Sequence, residues 1–306
     1  MFEASEIKSP TGASLGVYSS TIKAPKAVLH INHGMSEHGK RYQRFAEFLA
    51  SRGYASLAHD HRGHGATTAA DAPQGIFSNQ DGLAKVLADA DAVNDHIRQQ
   101  NPNVPIVLFG HSMGSILGLN YCIHHHEKIA GAALWNSGVD GGPLLTIYGF
   151  LLTVERFFKG SDVPSQIANK LAFDAWNKKF APNRTQSDWL SRDEAEVDKY
   201  IADPDCGFDA SNGLWRDLLG GIRRGADNAE LAKIRNDLPI HLLAGTKDPC
   251  TNNGTAVERL HDRMSKNGIQ DLSLTLLPDT RHESLNEINR DQTMADFVQW
   301  LDERFA

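Results

Sequence analysis

Short runs of apolar residues, each followed by a stretch whose apolar positions fall at helical spacing, recur along most of this chain and constrain its fold more than any other feature. Ala27–His33, Tyr54–Ala58, Pro105–Phe109, Ala130–Trp135, Leu238–Ala244 and Leu272–Leu277 are such runs. Between them, Arg44–Arg52, Gln80–Gln100 and Met113–His126 read as helices, and a last helix is predicted over about Asp291–Phe305. In the second of these, Leu83, Val86, Leu87, Ala90, Val93 and Ile97 keep to one face. A strand that is apolar throughout is covered on both sides, and a helix between successive strands is the crossover that parallel pairing requires. The prediction is an α/β architecture, a mostly parallel central sheet flanked by helices. The opening segments, near Phe2–Ile7 and Leu15–Ser20, have little helical sequence between them and suit an antiparallel edge. No internal repeat is present.

One region breaks the rhythm. From Ser137 to Asp237 the strand pattern vanishes, and the sequence turns helical and aromatic, with Phe173, Trp176, Trp189 and Trp215 among its residues. An insertion after the carboxyl end of a strand lies over the place where open α/β sheets bind ligands. The expected organisation is therefore a core from residues 1–136 and 238–306, with a helical cap or lid at 137–237 inserted after the fourth core strand. Within that insertion Leu144–Phe158 is apolar at ten of fifteen positions, its only charges being Glu155 and Arg156. It is too short to span a bilayer. It suits a cap helix packed on the core, or a transient contact with a lipid surface.

Composition narrows the partners. With 31 basic and 38 acidic residues the net charge is −7, which gives no overall attraction to nucleic acid or anionic lipid. No nucleic-acid partner is expected. A hydrophobic fraction of 41% excludes disorder and low-complexity classes. Three cysteines, Cys122, Cys206 and Cys250, without a CxxC pair exclude a disulfide framework and a cysteine-rich zinc site. The opening residues show no basic stretch followed by an apolar run. A cytoplasmic location is the expectation; the oligomeric state is left open.

Gly110-His-Ser-Met-Gly114 fits the pattern GxSxG, and so does Gly12-Ala-Ser-Leu-Gly16. Context separates them. Ser112 follows a strand and opens a helix, the setting of a nucleophile elbow, where glycines two before and two after let strand and helix pass closely. Ser14 is followed by strand sequence and opens no helix. A serine hydroxyl needs a base to remove its proton, and that base belongs on a loop beyond the carboxyl edge of the sheet. His282 qualifies, between the last strand and the final helix. The carboxylate that orients it is expected between serine and histidine in the chain, and Asp248, after Leu238–Ala244, satisfies this order. Asp279 is a rival, in the same loop as His282. Negative charge developing on a substrate carbonyl requires two N–H donors. Met113, after the nucleophile, supplies one, and Met35, in the His33-Gly34 turn after the first core strand, supplies the other.

Two histidine runs invite a metal reading. His124–His126 closes a helix, where imidazole suits the negative end of the dipole. His59–His64 approaches an HxHxDH pattern, but Gly63 stands where the aspartate would be. Neither is read as a metal site.

Five motifs together, His33-Gly-Met-Ser-Glu-His38, Asp60-His-Arg-Gly-His-Gly65, Gly110-His-Ser-Met-Gly114, Gly245-Thr-Lys-Asp248 and Arg281-His282, resemble the monoacylglycerol lipase and lysophospholipase branch of the α/β-hydrolases, often described as serine aminopeptidase-like. Tyr200–Phe208 is similar to a cap segment common there. Ser115 is a departure, since many relatives carry a second glycine at that place. The resemblance implies an α/β-hydrolase fold and a Ser112–Asp248–His282 triad with Met35 and Met113 at the oxyanion. It also implies no cofactor, no metal, and a small-molecule acyl ester or lipid substrate. Asp60–Gly65 is implied to be structural, as Asp60 and Arg62 would be if they tie down a glycine turn. Two other readings stay open: a peptidase or amidase of the same fold, with the acids of Asp193–Asp198 holding an α-amine, and a non-catalytic ligand receptor.

Overall fold

The computed structural model describes residues 2–306. Eight strands form one sheet: β1 (Glu3–Lys8), β2 (Ser14–Ser20), β3 (Val28–Asn32), β4 (Ala55–His59), β5 (Ile106–His111), β6 (Gly131–Trp135), β7 (Ile240–Gly245) and β8 (Leu272–Leu277). Their spatial order is β1-β2-β4-β3-β5-β6-β7-β8. The β1–β2 and β2–β4 pairs are antiparallel, and the other five are parallel. The chain thus has the α/β-hydrolase architecture, with the antiparallel edge at its amino-terminal end. Strands β3, β4, β5, β6 and β7 are buried at every position, which is why they read as continuous apolar runs rather than alternating ones.

Helices cover both faces. Helices α2 (Gly82–Gln100) and α3 (Met113–His125) pack on one, where Val86, Val93, Leu117 and Leu119 meet Leu108 and Leu134. On the other lie α1 (Gln43–Ser51) and the long carboxyl-terminal helix, where Phe45, Phe297 and Leu301 meet Phe109 and Trp135. Between β6 and β7 the chain adds no strand to the sheet. It runs through α4 (Pro143–Lys159), α5 (Gln166–Asn169), α6 (Ala175–Lys178), α7 (Glu194–Ala202), α8 (Asn212–Gly225) and α9 (Asn228–Leu231). Then α10 (Thr255–Lys266) separates β7 from β8, and α11 (Arg290–Phe305) closes the chain. Among the described residues no helix is long and apolar enough to cross a membrane.

Strand ends differ from the apolar runs by one or two residues. β5 continues to His111 because the ladder pairs Gly110 with Leu134 and His111 with Trp135; hydropathy stops at Phe109, but hydrogen bonding does not. In-register parallel pairing has a consequence for chemistry. Asn32 stands opposite Gly110, His111 opposite Trp135, and Gly245 opposite Leu277. The loops leaving β3, β5, β7 and β8 therefore emerge along one edge of the sheet.

Candidate active site

Ser112 lies between β5 and α3 with φ 53° and ψ −117°, a conformation that costs a non-glycine residue on the order of 1–3 kcal/mol and persists only where its surroundings enforce it. The enforcement is visible. A Cβ on Gly110 would lie 2.3 Å from the Gly114 carbonyl oxygen, and one on Gly114 would lie 2.2 Å from that of Asn32. The backbone N–H of Ser112 donates to the Trp135 carbonyl at 2.9 Å. The turn so fixed presents Ser112 at the wall of a cavity of about 810 Å³, within the size range of small-molecule sites. The other GxSxG serine, Ser14, begins β2, where its hydroxyl donates to Glu6.

His282 follows β8 and is 2% exposed; Asp248 follows β7 and is fully buried. Their Nδ1 and Oδ1 atoms are 3.0 Å apart, and the backbone N–H of Cys250 donates to the same carboxylate oxygen at 2.9 Å. Burial opposes charge on the imidazole, but the Asp248 carboxylate and its hydrogen bond outweigh it, with Glu283 and Glu37 adding to them. The His282 pKa is held above the usual histidine value. Ser112 and His282 share the cavity wall without a hydrogen bond between them, and such contacts often close only when substrate arrives. The rival Asp279 is exposed and engages Thr246 through its backbone.

Met35 and Met113 line the same cavity. Met113 is the first residue of α3, so its N–H has no intrahelical acceptor. The turn bearing Met35 is built around Gly34, whose N–H donates to Glu37 Oε1 at 2.5 Å. A Cβ on Gly34 would come to 2.8 Å of that oxygen and 3.4 Å of Ser112 Cβ.

The sequence reading overlooked what holds this turn. Arg41 donates to Glu37 at 2.5 Å and, through both terminal nitrogens, to Glu283 at 2.6 and 2.7 Å. Tyr42 adds a hydroxyl bond to Glu37. One guanidinium thus ties the Gly34 turn to the residue after His282. Its only sequence trace is a Glu–Arg pair at i,i+4, a spacing shared with many surface pairs. Cys250, on the cavity wall beside Asp248, was likewise read only as part of the redox count.

Asp60 accepts from Tyr18, Gly39 and Ala66, while Arg62 pairs with Asp89 and the Phe77 carbonyl; both side chains are fully buried. Of the two histidine runs, His124 is exposed at the end of α3. His59, His61 and His64 are buried among themselves with His30 and His33. The acids of Asp193–Asp198 are engaged by basic side chains. Glu196 is buried against Arg44 and Lys199, Asp193 pairs with Arg290, and Asp198 with Arg184. Tyr200–Phe208 is stitched to the Gly34 loop: Tyr200 and Gly207 donate to the Ser36 carbonyl, and Ser36 donates to that of Phe208.

Apolar side chains from the β6–β7 insertion make up about half of the cavity wall, among them Leu145, Leu151, Phe173, Trp176, Trp215 and Leu218. The only lysine or arginine on its described wall is Arg259, paired with Asp140. The acids on the wall, Glu37, Glu283 and Asp140, all have arginine partners.

The sequence matches the family described as serine aminopeptidase, S33, over residues 23–289. Monoglyceride lipase from Mus musculus is 28% identical over 293 residues, covering 92% of this chain and 84% of that protein. A thermostable carboxyl esterase from Bacillus coagulans, solved with glycerol, superposes with a TM-score of 0.90 at 21% identity over 100% of this chain and 99% of its own. A soluble variant of monoglyceride lipase from Saccharomyces cerevisiae, solved with a substrate analog, gives 0.74 at 19% identity over 100% and 96%.

Proposed function

Since this chain belongs to the serine aminopeptidase S33 family, we propose that it hydrolyses carboxylic esters of acyl chains, in the manner of a monoacylglycerol lipase or carboxylesterase, with Ser112 as nucleophile. The reading rests above all on one observation: His282, paired with the buried Asp248, and a strained serine both line a large apolar cavity. His282 Nε2 takes the Ser112 proton as the hydroxyl attacks the ester carbonyl, and the Met35 and Met113 N–H groups hold the oxyanion. His282 then protonates the leaving alcohol. Water, deprotonated by the same imidazole, releases the acid from the acyl-enzyme. Asp248 fixes the tautomer and supports the imidazolium.

Residues 137–237 act as a cap in this reading. Their apolar lining favours an aliphatic acyl chain. The single paired cation on the wall offers nothing free for a phosphate, which favours a neutral alcohol such as glycerol over a phosphorylated one. The face of α4 turned outward is also apolar, with Phe150, Phe157 and Phe158 66%, 84% and 79% exposed. This supports transient contact of the cap with a lipid surface.

An aminopeptidase of the same fold needs a free carboxylate for the substrate α-amine. The wall acids and the Asp193–Asp198 stretch are already engaged by basic side chains, so the ester reading is preferred. Fluorophosphonate labelling and a series of glycerol and p-nitrophenyl esters of increasing acyl length test it. Ester turnover that vanishes in Ser112→Ala is the expected result. Undiminished turnover in that variant, or preference for an aminoacyl amide, overturns it. Labelling of Ser112 without turnover of any ester favours the receptor reading.

A further inference from the structure

We propose that Asp248, Cys250 and His282 form a binding site for a thiophilic divalent cation such as zinc or cadmium, and that its occupancy switches the hydrolase off. The inhibitory half rests on the reading of His282 as general base; the binding half does not.

The donor set is one that zinc takes: an imidazole nitrogen, a carboxylate oxygen and a sulfur. One ligating atom of each residue lies within 4.8 Å of the other two. Across a tetrahedral zinc, donors stand about 3.3–3.6 Å apart, given bond lengths of about 2.0–2.3 Å. The Nδ1–Oδ1 separation of 3.0 Å falls a few tenths of an ångström short of this span, and a pair at the 4.8 Å limit of the cluster has to close by about 1.2–1.5 Å, whichever oxygen of Asp248 takes the cation.

A second observation points to a ligand. Asp248 is fully buried, and while Oδ1 receives His282 and the Cys250 N–H, Oδ2 has no hydrogen-bond partner. A buried carboxylate oxygen left unpaired is costly, and a cation seated between Asp248 and the Cys250 thiol would satisfy it. Access is provided, since Cys250 and His282 both face the large cavity. Its open space leaves the fourth coordination position to water.

A contrasting cluster shows why this one is chosen. His38, Asp203 and Cys206 approach one another as closely. There, however, Oδ2 of Asp203 already meets His38 and Oδ1 accepts the N–H of Asp205. No oxygen is left to recruit a cation.

The inhibition follows from proton placement. In the neutral imidazole that serves Ser112, the proton sits on Nδ1, toward Asp248, and Nε2 is the acceptor. A cation on Nδ1 moves that proton to Nε2, turning the atom that must accept the serine proton into a donor. The thiol gives up its proton to become a ligand, so one proton leaves per cation bound.

The test uses the purified full chain after treatment with EDTA. Cadmium titration should raise the ultraviolet thiolate-to-metal band to one equivalent in the wild type, in Ser112→Ala and in Cys206→Ser, but not in Cys250→Ser. Zinc should suppress ester turnover reversibly on EDTA addition. Relative to its own zinc-free rate, Cys250→Ser should need on the order of tenfold more zinc. Absence of the band in the wild type, its persistence in Cys250→Ser, or equal zinc sensitivity of the two proteins overturns the proposal. A band without ester turnover in any of the proteins leaves the cation site standing and removes the ester reading instead.

Discussion

Acidification from about pH 7.5 to about pH 5.5 should strip most of the stability from this fold, and the reason is a cluster of five buried histidines. His30 on β3 contacts His59 at the end of β4 with ring nitrogens 3.2 Å apart. His61 packs against His59 and His33 with ring centroids 4.6 and 4.4 Å apart, and His64 against His33 at 5.2 Å. Burial is the main reason their imidazolium forms are disfavoured. His30 and His64 are lowered to about 3, His33 to about 4, and His59 and His61 well below the usual value. The sign follows from linkage. Between the folded values and about 6.5 the unfolded chain binds protons that the folded one refuses, so stability rises with pH through that window and falls on acidification. At about pH 5.5 each such histidine costs about 1–1.5 kcal/mol, and five together about 5–7 kcal/mol. Domain stability is typically about 5–15 kcal/mol, and with about 2.1 cal/mol/K of unfolding entropy per residue over this chain the loss corresponds to a fall in Tm of roughly 8–11 °C. Carboxylates held low, such as Asp71 and Asp203, act below about pH 4.5 and do not contribute here. His282 and Asp217, both raised, the latter to about 6, work in the opposite direction, while His111 and His241, lowered by burial to about 4 and about 3, add to the loss. Thermal unfolding followed by circular dichroism at constant ionic strength measures the effect, and Tm with calorimetric enthalpy gives the proton uptake. A Tm that stays level from about pH 7.5 to 5.5, or uptake below one proton, would refute the reasoning.

Other consequences follow from the site. Asp248→Asn leaves the fold but removes the charge that fixes the His282 tautomer, so kcat should fall about 10⁴-fold with KM little changed; steady-state kinetics on a medium-chain ester checks it. The acid limb of kcat/KM should have its midpoint above about 6.5, because Asp248 and its neighbours outweigh burial at His282; a midpoint below that value contradicts the arrangement. Arg41→Met leaves Glu37 and Glu283 buried without their cation and should cost about 3–5 kcal/mol in urea unfolding. In folded protein it should lower kcat through the loosened Gly34 turn, with Arg41→Lys recovering only part, since one ammonium cannot replace the fork to Glu283. Phe157→Ser with Phe158→Ser should weaken binding to lipid vesicles while turnover of a soluble short-chain ester stays near the wild-type rate; unchanged vesicle binding removes the lipid-contact reading of α4.

The alternation of apolar runs and helical spacing determined the sheet and its parallel core, and the scarcity of helix between the first two strands its antiparallel edge, because strands covered on both faces are apolar at most of their positions. Chain order and local context also singled out Ser112 over Ser14, since only one of the two serines could open a helix. What the sequence could not carry was convergence. That Asp248 rather than Asp279 meets His282 depends on β7 and β8 pairing in register, so that two distant loops leave one edge together. The Arg41 fork to Glu37 and Glu283 joins residues far apart in the chain, and its members look alone like ordinary surface charges. Only His59, His61 and His64 of the five histidines stood in a run that approached a metal pattern, and only the packing of β3 beside β4 decided that all five face one another, buried and neutral. Local periodicity fixes secondary structure because it acts through neighbouring backbone; sites are built by long-range contacts, which no local pattern records.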